Sequence, residues 1–229
     1  MNTATSSDTS VESAATLARF NMVEQQVRTW DVLDPSILDL LHELPREDFV
    51  PEAYQGVAYA DTNIPLGDGQ FMLPPRIVAR ALQALAPRPL DRVLEVGTGS
   101  GYMTAALAHM ASHVVSVEMS SSLHSQAVTR FKSMGIRNVS LVRGDGAHGW
   151  DADSPYDVIV FTGSMPTLDP ALAQQLKLGG RLFAIVGQAP AMEAKLVTRV
   201  DASSWSTEGI FETVVAPLAG VEKPREFKL

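Results

Sequence analysis

The sequence predicts an α/β protein: a doubly wound, mostly parallel seven-stranded sheet preceded by an N-terminal helical extension. Three observations carry this. From Asp91 onward, short apolar runs alternate with helix-length segments, the pattern of a parallel sheet wrapped by helices. The first of those runs empties into Gly97-Thr98-Gly99-Ser100-Gly101, a turn of alternating glycines that opens a helix and lets backbone approach a ligand closely. Upstream, the chain shows helical rather than strand periodicity. At 229 residues and 45% hydrophobic content the chain can bury one large α/β core with an accessory segment.

Residues 1–12 are mostly Ser, Thr, Asn, Asp and Ala, with neither a basic nor an apolar signal region, and read as a flexible tail. Between Val11 and Trp30, Ala14, Leu17, Ala18, Met22, Val23, Val27 and Trp30 recur at helical spacing. Asp34-Pro35 starts a second helix through Leu44, which Pro45 stops. Tyr54 to Pro74, rich in Gly, Asp and Pro, reads as an irregular and therefore functional loop, and Pro75 opens a helix ending near Leu85. The N-terminal helices either pack on the sheet or form a lid.

In the core, strands are predicted at Arg92–Val96, His113–Glu118, Val139–Val142, Asp157–Thr162 and Arg181–Val186. Helices are predicted at Gly101–Met110, Ser120–Met134 and Pro170–Leu176. Lys195–Val200 and Gly209–Val215, with no helix between them, read as a hairpin completing the sheet.

Composition excludes several classes. A net charge of −8 leaves no basic footprint for polyanions, so neither a nucleic-acid nor a membrane partner is expected. Zero cysteines exclude disulfides, thiolate metal sites and cysteine nucleophiles, and fit a cytoplasmic protein. No apolar run reaches spanning length. The five histidines show no shared metal-binding face, so no metal is expected. His148 is either a surface residue or a neighbour of the ligand, and Arg76 either a solvated helix residue or a carboxylate clamp.

The glycine turn carries the chemistry. A pyrophosphate-binding turn reads Gly-x-Gly-x-x-Gly, whereas this one reads Glu95-x-Gly97-x-Gly99-x-Gly101. A carboxylate under the loop repels an anion and favours a cation. Glu118 lies 17 positions beyond Gly101, near the roughly 20-residue offset at which an acid at a strand tip meets ribose hydroxyls. Gly144-Asp145-Gly146 ends the third strand. Alone it is a turn; beside Glu95 and Glu118 it reads as an acceptor for an adenine amino group, with Gly146 leaving room for the ring.

The run Val93 to Tyr102 resembles motif I of class I S-adenosylmethionine-dependent methyltransferases, which implies a Rossmann-like methyltransferase fold. The resemblance extends further. Pro45-Arg46-Glu47-Asp48-Phe49-Val50-Pro51, Ala58-Tyr59-Ala60-Asp61, Ile64-Pro65-Leu66-Gly67-Asp68-Gly69-Gln70, Gly135 to Val139, Gly149-Trp150, Gln175-Leu176-Lys177, Gly179-Gly180-Arg181 and Val215-Ala216-Pro217-Leu218 resemble, in order, the protein-L-isoaspartate O-methyltransferases. The similarity spans roughly residues 22–218.

This resemblance implies S-adenosyl-L-methionine as cofactor, held by Glu95, Gly97, Thr98, Gly99, Ser100, Gly101, Glu118, Met119, Asp145, Gly146 and Thr162 in a core over 91–229. It implies an isoaspartyl-containing protein or peptide as acceptor, with Asp61, Gln70, Phe71, Leu73 and Ser164 lining the acceptor side, much of it supplied by residues 13–90. One departure stands out: after Gly-Gln the family continues Thr-Ile-Ser-Gln-Pro, and here the chain reads Phe71-Met72-Leu73-Pro74-Pro75. Leu73 takes the serine position and Phe71 the threonine position, so no catalytic residue is assigned. Two alternatives follow, a more apolar small-molecule acceptor on the same fold or a non-catalytic S-adenosylmethionine-binding module.

Overall fold

The computed structural model describes residues 6–221. Its helices are α1 (Ser6–Asn21), α2 (Pro35–Glu43), α3 (Pro75–Leu85), α4 (Tyr102–Met110), α5 (Ser121–Met134) and α6 (Pro170–Gln174). Its strands are β1 (Ile64–Gly67), β2 (Gln70–Met72), β3 (Arg92–Val96), β4 (His113–Glu118), β5 (Val139–Arg143), β6 (Tyr156–Met165), β7 (Leu176–Gln188), β8 (Ala191–Arg199) and β9 (Trp205–Glu212). Among the described residues no helix is long and apolar enough to cross a membrane.

The chain forms two compact units, one made of the chain up to Ile64 with Leu73–Gln83, the other of Pro65–Met72 with the chain from Ala84 onward. This differs from the division expected at residue 90, since the segment 65–72 groups with the sheet. In the first unit α1 starts at Ser6, inside the stretch expected to be a tail; residues 1–5 of that stretch lie outside the described residues. The helix continues as a π-helical turn, Met22–Val27, and a 3-10 turn, Arg28–Trp30. Arg19 donates to the Tyr59 hydroxyl, the His42 carbonyl and Glu47 at 3.0–3.1 Å, tying α1 to the end of α2 and to the segment that follows it. The side chain of Asp34 caps α2 by accepting from the Ser36 amide.

The expected irregular stretch 54–74 is more ordered than its composition suggests. It holds a 3-10 turn, Glu52–Val57, and the β1–β2 hairpin. Gly67, Asp68 and Gly69 turn that hairpin with positive φ throughout.

In the second unit the sheet order is β5-β4-β3-β6-β7-β8-β9. Neighbours from β5 to β7 are parallel; β8 and β9 close the sheet antiparallel. The five parallel strands sit where the sequence put them, and the terminal hairpin is present with both of its strands beginning four residues earlier than expected. β6 and β7 run longer than predicted, with register shifts between Tyr156 and Val158 and between Val160 and Ser164. α6 correspondingly ends at Gln174, before Leu176 enters β7. Leu94, Val96, Val115, Val117, Ile159, Phe161, Leu182 and Ala184 form the buried layer of the sheet. Winding reverses between β3 and β6, so the crevice where open α/β sheets bind ligands lies beyond the carboxyl ends of these strands.

Candidate functional site

Three consecutive residues of the turn after β3 are held separately. The Thr162 hydroxyl from β6 donates to the carbonyls of Val96 and Gly97. Thr98 shares a 2.6 Å hydrogen bond with the Ser116 hydroxyl of β4. The Gly99 amide donates to Glu118 Oε2 at 2.8 Å. Two of the glycines are required by packing as well as by backbone angle. Gly97 has φ +95 and a Cβ there would lie 2.3 Å from Thr162 Oγ1; Gly101 has φ +84 and its Cβ would lie 2.7 Å from the Phe131 ring. The close approach read from the sequence is therefore partly an approach of the protein to itself.

Glu95 is fully buried on β3. Its register partner on β4 is Ser116, whose hydroxyl donates to Glu95 Oε2 at 2.6 Å, and Thr104 of α4 donates to the same oxygen. The other oxygen, Oε1, is buried without a hydrogen-bond partner. Burial pushes the Glu95 carboxyl up to about 8; the Ser116 and Thr104 hydroxyls pull it down, and the charge of Glu118 pushes it further up. Glu118, 5% exposed, accepts Gly99 N–H on one oxygen and Ser120 N–H on the other, each at 2.8 Å. One lone pair remains on each oxygen, the arrangement a vicinal diol needs.

Asp145 is exposed at the end of β5 and accepts from the Ala147 amide. Gly146 is buried, and a Cβ there would lie 2.8 Å from Val96. The carboxylates of Glu118 and Asp145, and the buried one of Glu95, thus sit at the carboxyl ends of three adjacent strands. Ser100 is 7% exposed in the turn, and Met119 is 48% exposed just past Glu118.

Sequence reasoning missed several participants. Ser116 is the single polar residue inside the apolar run Val114–Val117, and Thr104 lies in a fully buried stretch of α4. A lone hydroxyl in such a run is the signal that a buried partner awaits it. Leu66 of β1 lies against Gly99, and Asp68 accepts from the Ser120 hydroxyl at 3.3 Å, so the hairpin borders the turn. Leu218 packs on Gly97 and Gly220 on Asp145, bringing the segment after β9 to the same edge.

The acceptor-side residues divide between the two units. Gln70 and Phe71 lie on β2, with Phe71 42% exposed. Leu73 is half-buried, and its carbonyl accepts from the buried guanidinium of Arg46 at 2.7 Å. Asp61 is ion-paired to Arg76, whose guanidinium lies 4.2 Å from the Trp30 ring centroid, so Arg76 clamps a carboxylate of its own chain. Two hydroxyls expected at the site are already engaged within the chain. Ser164 is 2% exposed and donates its proton to the Val215 carbonyl, so it offers no hydroxyl donor to an acceptor. Thr162 likewise directs its proton to the carbonyls of Val96 and Gly97, supporting the turn from below.

The donor set fits a cationic nucleoside. Glu118 offers a diol acceptor and Asp145 an acceptor at the far strand, with the acid of Glu95 buried beneath the turn. Fold and turn together define a Rossmann-like methyltransferase class. The model of the family described as Protein-L-isoaspartate(D-aspartate) O-methyltransferase matches residues 18–223. The chain belongs to that family. It is 39% identical over 204 residues to the protein-L-isoaspartate O-methyltransferase of Protochlamydia amoebophila, covering 88% of this chain and 96% of that protein. A solved structure of a protein-L-isoaspartate O-methyltransferase superposes with a TM-score of 0.76 at 27% identity over 88% of this chain; the match spans 66% of that chain, just under two thirds. A Plasmodium falciparum protein, provisionally described as a beta-aspartate methyltransferase and solved in complex with S-adenosyl-L-homocysteine, shares the fold at a TM-score of 0.73, 17% identity, 89% of this chain and 97% of its own.

Proposed function

We infer that the chain is an S-adenosylmethionine-dependent O-methyltransferase that esterifies the carboxylate of isoaspartyl residues in proteins or peptides. The observation that carries the reading is the family membership over residues 18–223, joined to the acidic edge at β3, β4 and β5. When bound, S-adenosylmethionine would supply an electrophilic methyl group on a sulfonium. The turn Gly97–Gly101 would hold it, Glu118 would take its ribose hydroxyls, and Asp145 with Gly146 would take its adenine.

A carboxylate with an ordinary pKa near 4 is already ionised at neutral pH, so the chain need supply no general base. What it must supply is orientation, because positioning two reactants in attack geometry is worth several kcal/mol. Hydrogen bonds to the acceptor carboxylate are part of that orientation, each worth about 1.5–3 kcal/mol. Leu73 and Phe71 provide none through their side chains, and the hydroxyls of Thr162 and Ser164 are spent on carbonyls. These four residues favour a second reading, the same cofactor chemistry directed at a smaller, more apolar acceptor. An S-adenosylmethionine-binding module without turnover is the limit of that series.

One experiment separates the readings: methanol released from methyl ester after incubation with labelled S-adenosylmethionine and an isoaspartyl peptide, beside the aspartyl peptide as control. The first reading expects turnover on the isoaspartyl peptide alone. Binding of cofactor without turnover at millimolar peptide overturns it, and gain of turnover in Phe71→Thr/Leu73→Ser then assigns the change to those positions.

A further inference from the structure

We propose that Glu95 acts on the cofactor turn as a positioning residue through a chain of hydroxyls, Thr98 to Ser116 to Glu95, and is not itself a ligand of the cofactor. The inference rests on the reading of Gly97–Gly101 as the cofactor turn. The direction of the chain follows from proton counting. Ser116 donates its one proton to Glu95 Oε2 at 2.6 Å, so in the 2.6 Å contact between Thr98 and Ser116 the threonine is the donor. Glu95 is the terminal acceptor, and it receives a second hydroxyl, from Thr104, on the same oxygen.

All four groups are buried: Glu95, Thr104 and Ser116 are 0% exposed and Thr98 4%. In such surroundings an unmade hydrogen bond is costly, so the chain fixes which way the Thr98 side chain points. Thr98 is the middle of three consecutive turn residues, each pinned by a different side chain: Gly97 by Thr162 of β6, and Thr98 and Gly99 by Ser116 and Glu118 of β4. Without its hydroxyl bond, the turn keeps its two flanking attachments and loses the central one.

The reading that competes is direct contact between the unpartnered Glu95 Oε1 and a cationic group of the cofactor. The two differ in what a neutral substitute does. Glutamine keeps an oxygen able to accept both hydroxyls but carries no charge, so when affinity is measured at a pH above about 8, where Glu95 is ionised, it preserves the chain and abolishes a charge contact.

The test uses the full chain with two readouts: amide hydrogen exchange of residues 98–101 in the ligand-free protein, and the affinity for S-adenosylhomocysteine by calorimetry. Thr98→Val, which removes one hydrogen bond of the chain, and Ser116→Ala, which removes two, should each speed turn exchange and weaken binding at least about fivefold, the factor that one buried neutral hydrogen bond implies. Exchange in the centres of β3 and β6 should stay unchanged, which a general loss of structure would not allow. The double variant should be no worse than Ser116→Ala alone, since that substitution already removes the bond lost in Thr98→Val. Thr98→Ser should restore both readouts, and Glu95→Gln should recover most of the loss seen in Glu95→Ala. The proposal is overturned if Thr98→Val and Ser116→Ala match the unsubstituted protein in turn exchange, or if Glu95→Gln binds as poorly as Glu95→Ala. Turn exchange as expected with no binding of S-adenosylhomocysteine by the unsubstituted protein would leave the chain of hydroxyls standing and remove the cofactor reading.

Discussion

At the residue scale, Glu95 is the most deeply buried acid of the described residues. Its carboxyl titrates near 8 because burial penalises its charge more than the hydroxyls of Ser116 and Thr104 relieve it. An unfolded glutamate titrates near 4.5, so between the two values the folded state holds a proton that the unfolded state has released. This is the reverse of the usual carboxylate case. The contribution of Glu95 is full below about pH 4.5, declines as pH rises toward 8, and is flat above, at up to about 1.4 kcal/mol per pH unit. Urea unfolding at pH 5.5, 6.5 and 7.5 should therefore show stability falling more steeply in the unsubstituted protein than in Glu95→Gln; equal slopes would contradict the shift. The acid itself was legible from the Glu-x-Gly-x-Gly pattern, but not its burial. That depends on Ser116 standing opposite it in register and on Thr104 covering it from α4.

At the element scale, the segment carrying Leu73 is anchored by a side chain far from it in sequence. Arg46, fully buried, donates to the carbonyls of Ala58 at 2.8 Å and Leu73 at 2.7 Å. Arg46→Met keeps the aliphatic bulk and removes the charged donors, and should cost about 2–3 kcal/mol by chemical denaturation. A loss under 0.5 kcal/mol would mean that water serves those carbonyls equally well. The sequence showed the helices and the parallel strands because their periodicity is strong. It hid the β1–β2 hairpin because Pro65 sits within β1, a residue confined to edges, and both strands of a two-stranded sheet are edges. It also hid the second half of β6, where a register shift follows Val160 and small residues interrupt the apolar run.

At the scale of the whole molecule, winding order brings Glu95, Glu118 and Asp145 to one edge of one sheet from positions up to fifty residues apart. That convergence was legible from the spacing of the acids relative to predicted strand ends. The segment after β9 was not legible as part of it: Leu218 and Gly220 reach Gly97 and Asp145 only through the long-range pairing of Ser164 with the Ala216–Leu218 backbone. Function as proposed requires this edge to bind a nucleoside with a cationic donor arm. Calorimetric titration of S-adenosylmethionine into the full chain tests it most directly, with Glu118→Ala alongside. One-to-one binding, weakened at least tenfold by the substitution as expected for lost hydrogen bonds to a carboxylate, is the predicted result. Absence of binding, or equal binding by Glu118→Ala, would contradict it.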